Sequence, residues 1–122
     1  MKPGGIVIVN VPALRALYSA YDEAVGHFRR YDRAGLSRTL TDAGLELRAV
    51  HYWGGTMLPL LLLRSLMLRL RRPDKDVVRL GFAPPGSWVN HGLLGMMRVE
   101  TAVMPWPWLG TSVMAIAVKP AR

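Results

Sequence analysis

The feature that most constrains the fold of this chain is a short apolar run directly after a glycine turn. Residues 2–5, Lys-Pro-Gly-Gly, lead into four β-branched residues, Ile6 to Val9, and Pro12 follows shortly after. We expect a strand from Gly5 to Val9. Because the run is apolar without a break, burial on both faces of the strand is expected.

A helix and a second strand are predicted to follow. Asp32 is the expected N-cap of a helix from Arg33 to Ala43, which Gly44 ends in the left-handed conformation. Leu45 to Tyr52 begins with alternating apolar and polar residues, which indicates a strand with one covered face. The three elements form one strand-helix-strand unit, for which a right-handed crossover is expected.

The end of the chain predicts one more strand, from Gly110 to Val118, which Lys119 and Pro120 close. Signals between residues 54 and 109 are weaker and interrupted by prolines. We therefore predict a single domain over residues 1–122, in which residues 54–109 form a variable helical insertion or cap.

Residues 56–72 follow the pattern of an amphipathic helix, too short in apolar length to span a bilayer, which takes about 20 residues. The predicted membrane or partner surface consists of the leucines Leu62, Leu63, Leu66 and Leu70 and the arginines Arg64, Arg69, Arg71 and Arg72. Two interpretations stay open. The helix lies on an anionic membrane surface, or it covers its own domain or a dimer mate.

The net charge limits the range of possible partners, and the absence of cysteine bears on the cellular compartment. Sixteen Lys and Arg against eight Asp and Glu give a net charge of +8, which suits nucleic acid, an anionic membrane surface or an acidic partner. The basic cluster adjoins the most apolar segment and no nucleic-acid motif accompanies it, so lipid is favoured over nucleic acid. The absence of cysteine fits a reducing compartment, and we expect a cytoplasmic protein with membrane association as an option.

Two motifs resemble a known family. Pro-Gly-Gly stands before the first strand, and Asp22-Glu23 precedes Gly-His-x-Arg-Arg-Tyr at residues 26–31. In this order they resemble the C-terminal half of a class I S-adenosylmethionine-dependent methyltransferase of the type 11/12-like group. The second motif is the more specific. The resemblance implies an α/β fold with a partial Rossmann-like methyltransferase sheet, in strand order five, seven, six. The last strand, Gly110–Val118, would then be central and antiparallel, between the other two.

The resemblance also implies that one half of the domain binds the cofactor and the other half binds the substrate. In the full-length family a Gly-rich turn holds S-adenosylmethionine, but no glycines stand at positions i and i+2 in this sequence. This chain would be the substrate-binding half, inactive alone and with no cofactor bound by itself, and its partner would be the cofactor-binding N-terminal half or a second copy. The alternative is a non-catalytic basic amphipathic module that binds a membrane surface or a partner chain.

Candidate site residues follow from the same match, since substrates of open α/β sheets bind beyond the carboxyl ends of the strands. The candidates for substrate binding are Asn10, Asp22, Arg29, Arg30 and Tyr31. The two arginines suit a clamp on an anionic group. The alternative is that they form ion pairs with nearby carboxylates.

His27 is the candidate catalytic base, because the pKa of histidine ordinarily lies near neutral pH. The alternative is that His27 forms a hydrogen bond with Asp22 or with a backbone carbonyl and fixes the loop. The three histidines of the chain are too scattered to predict a metal site.

Overall fold

The structure is a computed structural model that describes residues 1–19, 22–23, 25–70 and 86–121, with the backbone alone for residues 67–70. In chain order the elements are β1 (Ile6–Pro12), a 3-10 turn (Arg15–Leu17), α1 (Arg33–Asp42), β2 (Glu46–Trp53), α2 (Leu58–Leu70), α3 (Ser87–Val103) and β3 (Ser112–Val118).

The three strands form one sheet in the order β1-β3-β2. β3 runs antiparallel to both neighbours, so that Ala115 lies opposite Val9 on one side and opposite Val50 on the other. A register shift between Leu47 and Ala49 interrupts the pairing of β2 with β3. β3 is therefore the strand that holds the sheet together.

The predicted fold class, a partial Rossmann-like methyltransferase sheet, is wrong. A Rossmann-like sheet is built on adjacent parallel strands. Here β1 and β2 run in the same direction, but β3 lies between them and both hydrogen-bonded strand pairs are antiparallel. The central place of the last strand is as expected. The described part of the chain is thus a small α/β unit on a three-stranded antiparallel sheet.

α1 covers one face of this sheet. Its predicted start is confirmed: the Asp32 carboxylate accepts a hydrogen bond of 2.6 Å from the Gly35 backbone N–H. Leu36 and Leu40, one turn apart, are buried against the sheet in a cluster with Val113. Burial of this apolar stripe is what keeps so short a helix folded.

The prediction that β1 is buried on both faces is also wrong. Its exposure alternates along the strand, and Ile6 and Ile8 are 68% and 66% exposed on the face away from α1. Within the described residues, the covering of that second face comes from the segment around α3 and lies over β2 and β3. A continuous β-branched run therefore marks an edge strand here.

The sheet also constrains Gly110. A Cβ at this position would lie 2.2 Å from the backbone oxygen of Trp53, whereas a Cβ at Gly92 in α3 would meet nothing within 4 Å. We expect Gly110→Ala to destabilise the fold by about 1–3 kcal/mol, because backbone atoms have to move apart.

Gly92→Ala is the matched control. It should stabilise the protein by up to about 1 kcal/mol, because alanine favours the helix. Urea denaturation of both variants checks the opposite signs, and an equal effect of the two substitutions would contradict the close approach at Gly110.

Candidate functional site

A buried ion pair organises the segment that follows the 3-10 turn. Asp22 is completely buried and accepts hydrogen bonds from Arg30 Nε at 3.0 Å and Nη2 at 3.1 Å. The third nitrogen of the Arg30 guanidinium group, Nη1, donates to the backbone oxygen of Ala13 at 2.9 Å. Because Ala13 directly follows β1, the pair ties this segment to the carboxyl end of the strand.

Backbone contacts complete the attachment. The Tyr31 N–H donates to the Pro12 carbonyl at 2.9 Å, and Ala13 and Tyr31 form a parallel bridge. Leu14 takes the left-handed conformation with φ 62°, which turns the chain away from β1 into the 3-10 turn. The turn and the segment before α1 thus meet at one end of the sheet.

An open cleft of about 450 Å³ lies where they meet. We call it the arginine cleft; its lining residues are Arg15, Tyr18, Phe28, Arg29, Arg30, Tyr31, Gly35 and Thr39. The cleft combines positive charge with three aromatic rings beside the first turn of α1.

Two guanidinium groups of the arginine cleft have no carboxylate partner in the described part of the chain, those of Arg15 and Arg29. Arg29 Nε donates to the Tyr31 hydroxyl at 2.5 Å, and its guanidinium lies 4.7 Å from the Tyr31 ring centroid. Burial, then the charges of Glu23 and Asp22, raise the pKa of Tyr18, so its hydroxyl stays protonated. The arrangement suits an anion, which accepts hydrogen bonds from guanidinium and hydroxyl groups.

The predicted site residues separate into three groups. Arg29 and Tyr31 line the cleft, while Asp22 and Arg30 bind each other and hold the cleft wall. His27 is half exposed, with Nδ1 3.7 Å from Asp22 Oδ1, and it is not among the lining residues.

Asn10 lies elsewhere. β1 continues beyond it to Pro12, and its Oδ1 accepts a hydrogen bond of 2.8 Å from Trp53 Nε1. Three lining residues were not among the predicted site residues: Arg15, Tyr18 and Phe28. The sequence signal that could have found them is the basic and aromatic segment just after the strand. It is the left-handed conformation of Leu14 that brings Arg15 into the same cleft as Arg29.

The predicted membrane or partner surface is described in part. Leu62, Leu63 and Leu66 are about half exposed on α2, whereas Ser65 between them is buried. The side chains of Arg69 and Leu70, and all of Arg71 and Arg72, lie outside the described residues. None of the helices, as far as the described residues go, has the length and apolar character needed to cross a bilayer.

A second buried carboxylate joins α3 to the turn after β2. Glu100 is 5% exposed and accepts hydrogen bonds from the Gly55 N–H at 2.7 Å, the Thr56 N–H at 2.9 Å and the Thr56 hydroxyl. Burial raises the pKa of Glu100, but these hydrogen bonds outweigh burial and hold the pKa below its ordinary value.

The glycine pair after β2 and the buried carboxylate of Asp22 are engaged in hydrogen bonds within the protein. The family's cofactor site needs a free glycine turn after a strand and a carboxylate for the ribose. Gly54 and Gly55 do follow β2, but the Gly55 N–H already binds Glu100. Asp22, the other buried carboxylate near a strand end, is bound to Arg30.

No family model, curated protein or solved structure matches this chain. The resemblance to methyltransferases therefore stays a prediction from the two motifs.

The buried ion pair gives the first prediction for this region. Asp22→Asn should destabilise the protein by about 3 kcal/mol, because the substitution leaves the Arg30 charge buried without a counter-charge. Thermal or urea unfolding measures the loss. Glu46→Gln is the control: it breaks the exposed 3.2 Å pair with Arg48 and should cost under about 1 kcal/mol.

A double variant tests the cause. Replacing both partners by apolar residues, Asp22→Leu with Arg30→Met, should recover much of the stability, since a buried pair is often replaceable as a unit. A double variant as unstable as Asp22→Asn would mean that the hydrogen bonds to Ala13 and Ser19, more than the charge, carry the stability.

Because the pKa of Glu100 is lowered in the folded protein, we expect the free energy of unfolding to depend on pH. Its folded pKa lies below the ordinary value of 4.5, so the stabilisation is complete above that pH and is lost as the pH falls through the lowered folded pKa. Glu100→Gln should lower the free energy of unfolding by about 1–3 kcal/mol at neutral pH. The difference from wild type should shrink below pH 4.5. Urea unfolding as a function of pH measures it, and a difference that is constant with pH would contradict the assignment.

Proposed function

We propose that this chain is the substrate-binding part of an S-adenosylmethionine-dependent methyltransferase, not catalytic alone, and that its arginine cleft binds an acceptor carrying an anionic group. The observation that carries the proposal is the pair Arg15 and Arg29. Both guanidinium groups line one open cleft, without a carboxylate partner among the described residues.

The chemistry of the cleft supports an anionic ligand with a flat apolar part. A guanidinium group donates two parallel hydrogen bonds to a carboxylate or phosphate, which fixes the orientation of the ligand as well as its position. Tyr18, Phe28 and Tyr31 offer ring surfaces beside the charges. Methyl transfer needs this kind of positioning, because the acceptor atom has to be aligned with the methyl group.

The cofactor would be held by residues other than those described here. The two buried carboxylates and the N–H group of Gly55 are engaged in hydrogen bonds within the protein. Under this proposal His27 remains the candidate base, at the exposed edge of the same segment.

A second candidate function is binding to a membrane surface or a partner chain without catalysis. It is favoured by the exposed leucines Leu62, Leu63 and Leu66 on α2 and by the net charge of +8. Attraction to anionic lipid weakens with salt, whereas apolar association with a protein does not. Sedimentation with anionic vesicles at low and high salt separates these two cases.

The arginine cleft is tested with phenyl phosphate, which carries one anionic group and one ring. We expect the wild-type chain to bind it, and Arg15→Ala and Arg29→Ala each to weaken binding by about 10- to 100-fold, since each loses charged hydrogen bonds. Isothermal calorimetry measures the affinities.

Arg38→Ala is the matched control, because Arg38 is an exposed arginine of α1 outside the cleft lining. It should change the affinity less than about twofold, as expected for a screened surface charge. Equal losses of affinity for Arg38→Ala and Arg15→Ala would mean that phenyl phosphate binds by general charge attraction. That result would contradict binding in the arginine cleft.

The assignment of the chain to a methyltransferase is tested separately. Titration of the isolated chain with S-adenosylmethionine should give weak binding or none, and micromolar binding would contradict the assignment of the cofactor to other residues. A Gly-rich strand-turn-helix encoded beside this chain would support the proposal, and its absence would favour the second candidate.

A further inference from the structure

A separate cavity of about 270 Å³ lies on the sheet face opposite α1. Strands β2 and β3 form its floor, and the end of α3 with the turn after it forms its roof. Its apolar lining includes the residues Trp53, Met97, Met104, Trp106, Met114 and Ile116. The cavity is therefore distinct from the arginine cleft, with which it shares no lining residue.

Most polar groups of the cavity wall already have partners. The Glu100 carboxylate binds Gly55 and Thr56, and the Thr101 hydroxyl donates to the Met97 carbonyl at 2.8 Å. The indole N–H of Trp53 donates to Asn10, on the neighbouring part of the sheet. These groups shape the wall, and none of them has an N–H or O–H left to donate to a ligand.

Two polar groups of the lining have no hydrogen-bond partner in the part of the chain that the structure describes. They belong to His51 and Trp106, whose rings stack with centroids 5.2 Å apart and planes 22° apart. Both His51 ring nitrogens and the Trp106 indole N–H are thus available. An apolar cavity with one hydrogen-bonding wall is the usual form of a small-molecule site.

The size and charge of the cavity restrict the ligand. The cavity is open to solvent at Trp106, which is 67% exposed, and its volume of about 270 Å³ leaves room for roughly two fused rings, since about 150 Å³ holds benzene. Indole and imidazole planes favour a flat ring, and methionine sulfur makes good contacts with aromatic edges. Glu100, which is ionised in the wall because its pKa is lowered, disfavours an anion.

We propose that the cavity between the β2–β3 face and α3 binds an uncharged aromatic molecule of about two rings, with one polar group bonded to His51 or Trp106. This site goes beyond the proposed function, since it takes a neutral ligand on the opposite side of the sheet from the anionic one.

The probe is β-naphthol, a neutral two-ring molecule with one hydroxyl group. Titration followed by amide and indole N–H chemical shifts should show saturable shifts in β2, β3 and Trp106. His51→Leu, which keeps the apolar bulk but loses the ring nitrogens, should weaken binding about three- to tenfold, the loss of one hydrogen bond. Ala49→Ile, which adds volume to the cavity floor, should weaken it at least about tenfold.

His91→Leu is the matched control, because His91 lies on α3 outside the cavity and, among the described residues, bonds only to Ser87 one turn earlier. It should leave the affinity unchanged, and saturating phenyl phosphate should not displace β-naphthol. Circular dichroism verifies the fold of each variant, and if one substitution unfolds the chain the other decides.

Absence of saturable binding to the wild type would overturn the proposal. So would an affinity that neither His51→Leu nor Ala49→Ile changes, or displacement of β-naphthol by phenyl phosphate. That last result would place the probe in the arginine cleft and would leave the proposed function standing.

Discussion

The ion pair between Asp22 and Arg30 is the interaction on which the arrangement of the arginine cleft depends. It is buried and bidentate, and the same guanidinium also binds the carbonyl of Ala13 at the end of β1. A charge is costly to bury, so this geometry persists only because each partner satisfies the other. By holding the segment before α1 against the strand end, the pair leaves the neighbouring Arg29 on the cleft wall. A structural arginine and a candidate binding arginine thus stand side by side with opposite roles.

Glu100 plays a comparable part on the other side of the sheet. Its carboxylate accepts hydrogen bonds from two backbone N–H groups in the turn after β2. These bonds fix the end of α3 above the strands. The covering is incomplete, since Ile6 and Ile8 of β1 remain exposed on this face. One sheet therefore has a closely packed face under α1 and a second face with a cavity. The arginine cleft is lined by arginines of the segments before α1, whereas the cavity is lined by Glu100 and apolar residues of α3 and the turn after it. The two candidate sites therefore differ in charge.

Local structure followed closely from local sequence. The Asp32 cap, the helix after it and the left-handed Gly44 are all set by residues within one or two turns of each other. The alternation in β2 and the apolar run of β3 placed both strands to within one or two residues. The Rossmann-like classification is wrong for a different reason: such a sheet is built on adjacent parallel strands, whereas both hydrogen-bonded strand pairs here are antiparallel. The burial of β1 failed for a related reason: composition does not say whether a second layer covers the strand.

By itself, the sequence determined the strand-helix-strand unit, the positive charge and the cluster of Arg29, Arg30 and Tyr31 beside acidic residues. Tertiary structure alone decided which of these arginines has no carboxylate partner among the described residues. Arg30 could pair with any nearby carboxylate, and only the folded structure pairs it with Asp22. The inclusion of Arg15 depends on the left-handed turn at Leu14, which no residue preference predicts. His51 on β2 is far along the chain from Glu100 and Trp106, so the cavity that they share exists only once the end of α3 and the turn after it lie over the sheet.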